Sequence, residues 1–163
     1  MRKTPLAITL AFTLALPGFA TADWKESLKQ QAGKQASQKM ETELGLAQPA
    51  PTGAEVYFLE PRDGATVSNP VKVVFGLRNM GVAPAGVNQE NTGHHHLLID
   101  NPTVNLGQPL PASEQVVHFG GGQTETTVKL APGKHTLQLV LGDWKHQPHQ
   151  PPVTSKTITI VVK

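Results

Sequence analysis

"HTLQLVLGD", His135–Asp143, decides the fold. Leu137, Leu139 and Leu141 alternate with Thr136, Gln138 and Val140, and His135 shares the leucines' face. A period of two belongs to a strand with one side buried, whereas an amphipathic helix repeats at three and four. The same period runs through Val56 and Phe58, through Val71, Val73 and Phe75, and through Ile158, Ile160 and Val162, while 124–130 is rich in Thr and Val. Turn-forming clusters separate these runs: Pro61-Arg62-Asp63-Gly64, Asn69-Pro70, Gly120-Gly121-Gly122, Pro132-Gly133 and Gly142-Asp143. The pattern predicts strands over 54–60, 71–77, 94–100, 115–119, 124–130, 134–142 and 155–163. About seven short strands over roughly 110 residues predict an all-β domain, an immunoglobulin-like antiparallel β-sandwich spanning 54–163. The Gly120–Gly122 run lacks the lysine and the following helix of a phosphate-binding loop, so it reads as a turn.

Toward the N-terminus the composition changes twice. Pro49-Ala50-Pro51-Thr52-Gly53 reads as a linker, and the proline-free stretch before it, rich in Lys, Gln, Ala and Glu, reads as a short helical segment. Trp24, Leu28, Ala32, Ala36, Met40 and Leu44 recur every four residues, a thin stripe that suits an exposed helix. A solvated stalk is the plainer reading of 23–46, and a helix resting on a membrane surface or on an envelope protein partner is the other. Residues 1–22 carry the marks of a secretory signal peptide: Arg2 and Lys3, an apolar run from Leu6 to Leu16, the breakers Pro17 and Gly18, and Ala20-Thr21-Ala22. Cleavage is expected after Ala22, which places the mature chain in the periplasm or outside the cell. The apolar run is too short for a transmembrane span, which takes about 20 residues.

The whole chain has 14 Lys and Arg against 12 Asp and Glu. Loss of Arg2 and Lys3 with the signal leaves the two signs in balance, which argues against a nucleic-acid partner, since that needs a surplus basic face. With no cysteine, thiolate catalysis and cysteine metal sites are excluded. A metal site must draw on His, Met, Asp, Glu, Asn or backbone oxygen.

Histidine is the residue that could supply one. If consecutive strands run antiparallel, connections alternate between the two ends of the domain. His94, His95 and His96 begin one strand, His118 ends another, and His146 and His149 lie in the 143–154 loop, all at the same end with Met80, Asn91 and Asp143. His135 falls at the other end. Residues i and i+2 of a strand share a face, so His94 and His96 can turn two imidazoles to one ion. His118, His146 or His149 could add a further nitrogen, and Met80 a thioether. Such a set suits copper better than magnesium or calcium, which want oxygen, and its histidines suit zinc equally.

Each residue also has a structural reading. His95 shares its face with Leu97 and Ile99, as a core histidine donating to a backbone carbonyl would. His135 fits a corner-tying role, and Met80 a packing role. Asp100 and Asp143 could serve as bases or as outer partners of histidines, although Asp143, after Gly142 at a strand end, sits where a turn residue belongs.

The strings "VYFLEPRDGATVSNPVKVVFGLRNMGVAPAG" (56–86), "NTGHHHLLID" (91–100) and "PGKHTLQL" (132–139) resemble an exported bacterial family known as domain of unknown function 4399, and the resemblance extends over Val56–Lys163. It implies a small exported domain and carries no activity with it. The residues themselves point to a periplasmic binding protein for a transition metal, copper or zinc, through His94, His96, His118, His146, His149 and Met80. Two rivals stand beside this: a recognition module for a non-metal ligand or protein, using the histidines and Trp144, and a metal-dependent enzyme with an open coordination position.

Overall fold

The computed structural model describes residues 23–163, with the side chains of 23, 38 and 41–43 left aside; the expected signal peptide, 1–22, lies outside these residues. Contacts divide the chain between Met40 and Glu41. The described residues of the N-terminal part are helical, and that helix, α1 (Asp23–Glu43), runs three residues past the division. Its described side chains are exposed, Trp24, Leu28 and Met40 included. It ends where Gly45 takes φ 68°, the left-handed conformation that commonly closes a helix and that glycine adopts without strain. No helix among the described residues is long and apolar enough to cross a membrane.

The rest is β: β1 (Glu55–Glu60), β2 (Thr66–Val67), β3 (Val71–Arg78), β4 (Gly81–Val82), β5 (Thr92–Ile99), β6 (Val116–His118), β7 (Glu125–Val128), β8 (Gly133–Gly142) and β9 (Ile158–Val162). Each of the seven expected runs contains a strand. The described residues nevertheless hold nine strands rather than about seven, because β2 and β4 are two-residue strands, too short to show a period. β1, β3 and β7 form one sheet in the order β1-β3-β7. The other runs β2-β9-β8-β5-β4, with β6 also paired to β5. Pairing is antiparallel except where β2 meets β9 and β4 meets β5.

The two sheets share one apolar cluster. Val56, Val71, Val73 and Phe75 come to it from the three-stranded sheet, and Leu97, Ile99, Leu137, Leu139, Leu141, Ile160 and Val162 from the larger one. The leucines of "HTLQLVLGD" therefore face inward, as their period predicts. Strand β5 breaks the simple rule that one side is buried and the other wet, since every residue from Gly93 to Ile99 is buried. It lies inside the larger sheet, between β8 and its neighbours β4 and β6. His95, Leu97 and Ile99 face the shared core. On the opposite face Leu98, with Val116 and Val140, is covered by Leu110, Val104 and Leu106 from the 101–114 loop. His94 and His96 stand on this same outer face and are buried there as well.

Two sequence readings concern residues away from this face. His135 Nδ1 lies 2.9 Å from Asp100 Oδ2 and its Nε2 2.9 Å from the Ala131 carbonyl, and the Asp100 bond raises its pKa. It ties the start of β8 to the end of β5, as a corner residue would. The segment read as a linker is bonded to the β domain: Ala50 N donates to Gln150 O and Gln150 N to Gln48 O, each at 2.9 Å.

Candidate metal centre

β5 offers His94 and His96 to one face because a strand alternates its side chains. Register does the next step. His96 is paired with His118 of β6 on one side and with Val140 of β8 on the other, and His94 is paired with Gly142. Paired residues project to the same face, so His118 joins the two β5 histidines without any loop having to fold over. The fourth imidazole comes from the turn after β8. His146 takes φ 67°, a left-handed conformation rare outside glycine, and its ring stands 3.1 Å from His94 through Nδ1 and Nε2.

One ligand nitrogen from each of His94, His96, His118 and His146 lies within 4.8 Å of the others. Ring centroids are 4.6 Å apart for His118 and His146, 4.8 Å for His94 and His96, and 4.9 Å for His94 and His118. Four nitrogens around a tetrahedral ion at 2.0–2.1 Å stand about 3.3–3.4 Å from one another. The 3.1 Å pair is already close to that spacing, and the widest separation, 4.8 Å, exceeds it by about 1.4 Å. His94 and His96 form the buried floor, His146 is half-buried and His118 is exposed, so the site opens to solvent on the His118 side.

The electrostatics favour neutral rings with free lone pairs. Burial, and then the neighbouring imidazoles, bring the pKa of His94 down to about 4 and that of His96 to about 3. His118 is lowered by burial and by His146. The floor is also short of hydrogen bonds: His94 Nδ1 and His96 Nδ1 are buried with no partner. An unpaired buried polar atom costs about 1–3 kcal/mol, so the protein maintains this cluster against its own stability.

Two glycines make room for the rings. A Cβ on Gly142 would lie 2.7 Å from His96 Cε1 and 3.2 Å from His96 Nδ1. A Cβ on Gly120 would lie 2.6 Å from His118 Nε2. Both positions read in the sequence as turn residues, and the signal that distinguishes Gly142 is its place opposite His94, which only the strand pairing reveals. Gly142→Ala should therefore displace the His96 ring while leaving all four imidazoles in the chain. The expected result is at least a tenfold loss of zinc affinity with the β circular dichroism unchanged, and unaltered affinity would show that the ring has space to spare.

The other residues singled out in the sequence lie elsewhere. His149 is buried on the opposite face of the sheet, beside Leu141 and Gly93, with its ring nitrogens 3.1 Å from Thr92 O and 3.4 Å from Leu141 O. It is bonded to the backbone and stands outside the four-histidine group. Met80 packs against the shared apolar core. His95 is fully buried, with its ring 5.0 Å from that of Phe75. The expected donation to a carbonyl is reduced to a weak interaction with the backbone of Gln123, and burial brings its pKa to about 4. Asp143 serves no histidine ring: its Oδ1 accepts from Lys145 N at 2.8 Å and from Gln147 N at 3.0 Å, which shapes the turn that carries His146. Asp100 is engaged with His135. Among the described residues no carboxylate joins the four imidazoles.

Among curated proteins and among solved structures, nothing matches the chain. The model of the family described as domain of unknown function (DUF4399) matches residues 73–163, a span that holds all four imidazoles and more than half of the sequence, and the chain belongs to that family.

Proposed function

We propose that the protein is exported to the periplasm and binds a transition metal through His94, His96, His118 and His146, as a carrier or buffer. The observation that carries this reading is the placing of four imidazole nitrogens within 4.8 Å from two strands and a turn. Chance crowding of a surface would not leave two of those rings fully buried with unpartnered nitrogens. With Met80 in the core, the set is nitrogen alone. All-imidazole donors suit zinc and copper(II), and the general order of divalent affinities puts copper(II) above zinc. A carrier is favoured over an enzyme because Asp143 and Asp100, the two carboxylates the sequence offered as bases, hold a turn and a corner. The signal-like pattern of 1–22 supports export. We also read the β domain as immunoglobulin-like, supported by β1, β3 and β7 in one sheet and β9, β8, β5 and β6 in the other.

Elemental analysis of the untagged protein purified from the periplasm tests the reading. About one copper or zinc per chain, lost in the His94→Ala/His96→Ala variant, is the expected result. Metal-free protein that also fails to take up either ion in vitro would end it.

A further inference from the structure

The four-imidazole site has one ligand that no strand fixes. His94, His96 and His118 are held by β5 and β6, but His146 belongs to the turn after β8, in a left-handed conformation. One side of that turn is held by the 101–114 loop, where Leu110 N donates to His146 O at 2.9 Å and Gln147 Nε2 to Gly107 O at 3.3 Å; the rest of its fastening comes from the far side of the sequence. Gln48 N donates to Asp143 Oδ2 at 3.3 Å, and Lys145 Nζ donates to Leu46 O at 2.9 Å. Ala50 N and Gln150 O, and Gln150 N and Gln48 O, form a short ladder on the other side of His146. Gln48 Nε2 also donates to Asn88 Oδ1 at 2.6 Å, which fastens the same segment to the 83–91 loop, while Gly86 N donates to Trp144 O at 2.9 Å. Asp143 is fully buried and Gln48 nearly so, so the bond between them is an interior one, while the Lys145 bond to Leu46 lies at the surface.

Resting on the metal-binding reading above, we propose that 46–50 is a strap whose bonds to Asp143, Lys145 and Gln150 hold His146 in reach of the ion. Asp143 is then a positioning residue with two tasks, one for each carboxylate oxygen. Oδ1 shapes the turn through Lys145 N and Gln147 N, and Oδ2 receives the strap. When the strap is fastened the site has four donors, and when it is loosened the turn keeps only its bonds to Gly107 and Leu110, on which it can swing His146 away and leave three. Metal release is set by that fourth donor, since His118, His94 and His96 stay on their strands in either case.

The two tasks of Asp143 can be separated. In Asp143→Asn the retained carbonyl oxygen can still accept from Lys145 N and Gln147 N, but an NH2 group replaces the oxygen that Gln48 N–H needs, and two donors then face each other. Lys145→Met removes the second fastening and keeps the length of the side chain. The measurement is the zinc dissociation constant and dissociation rate of the full chain, by competition with a chromophoric chelator at pH 7.5. It is made for the parent, for Asp143→Asn and Lys145→Met, and for each of these combined with His146→Ala. Residues that act through one another show non-additive effects in such a cycle, and independent ones add.

We expect Asp143→Asn to weaken zinc binding by about tenfold, chiefly through faster release, and Lys145→Met to do so by a smaller factor. We expect both effects to fall within twofold of nothing once His146 is alanine. Zinc bound by the parent and bound equally by both variants would overturn the strap and leave the metal site standing. So would an effect of equal size in the His146→Ala background, since it would mean a general loosening of the domain. A parent that binds neither zinc nor copper(II) overturns the metal reading itself, and the strap's role with it.

Discussion

Zinc at about a hundred times its dissociation constant should raise the melting temperature of the protein at pH 7.5 by on the order of 10 °C, and the His94→Ala/His96→Ala variant should not respond. A ligand that binds only the folded chain stabilises it by RT ln(1 + [L]/Kd), about 2.7 kcal/mol at that excess. For a domain of this size each kcal/mol moves the midpoint by about 4 °C. The effect needs the native fold, because the four nitrogens come from positions up to 52 residues apart and meet only through strand pairing and the turn after β8. The comparison is each protein with and without metal, not variant against parent. Removing two buried rings changes the metal-free stability through lost packing and through the loss of two unpartnered nitrogens, and these act in opposite directions. Copper(II) should give a larger shift than zinc at equal free concentration. Single changes should grade with burial: His96→Ala should abolish most of the shift, and His118→Ala, at the open side, should reduce it. A shift that survives in the double variant would place the metal on other residues.

How much of this could be read from the sequence depended on what kind of order each residue obeys. The leucines of 135–142 are governed by alternation, a property of one strand, and they face the core as the period requires. Alternation also separated His94 and His96 from His95. Sorting histidines by the end of the domain did not go far enough, because what gathers them is a face. His146 and His149 are three residues apart in one loop at one end, yet the sheet passes between them. The positive φ at His146 and the turn around Asp143 decide which goes where. Neither is a periodic feature. His118 opposite His96 is a matter of register between strands whose connection runs through the long 101–114 loop, and nothing local to either strand sets it. Gly142 looked like punctuation, and its missing Cβ is the space that His96 uses. Pro49–Gly53, between an exposed helix and β1, had the composition of a linker, yet its Ala50 is bonded to the backbone of Gln150, and Gln48 just before it to the Asp143 carboxylate, which no composition can disclose.

The same histidines should make the metal-free protein acid-labile. His94 and His95 take up protons in the native state only near pH 4, and His96 only near 3, against 6.5 in an unfolded chain. Their native pKa values are depressed, so below pH 6.5 the unfolded chain binds protons that the native state refuses. Stability is therefore fully present above pH 6.5 and is lost progressively as pH falls toward 4. His95 is the cleanest case, since burial against Phe75 and its neighbours, not repulsion within the cluster, dominates its shift. A change from 6.5 to about 4 corresponds to about 3 kcal/mol at 1.36 kcal/mol per pH unit, a large share of the roughly 5–15 kcal/mol that holds an ordinary domain together. His94 and His96 add to this, though not as a simple sum, because each repels the other's proton. Urea unfolding without metal should therefore show a steep decline in stability from pH 6.5 to 4.5. His95→Leu should flatten it by up to that amount, and should cost little near pH 7.5, because the ring it replaces has apolar neighbours and no firm hydrogen bond. Bound zinc should hold His94 and His96 unprotonated and carry the plateau to lower pH, leaving the contribution of His95 as the remaining slope. A flat profile between pH 7 and 4.5 in the metal-free parent would mean that these rings are hydrated in solution, and the dry floor of the site would have to be abandoned.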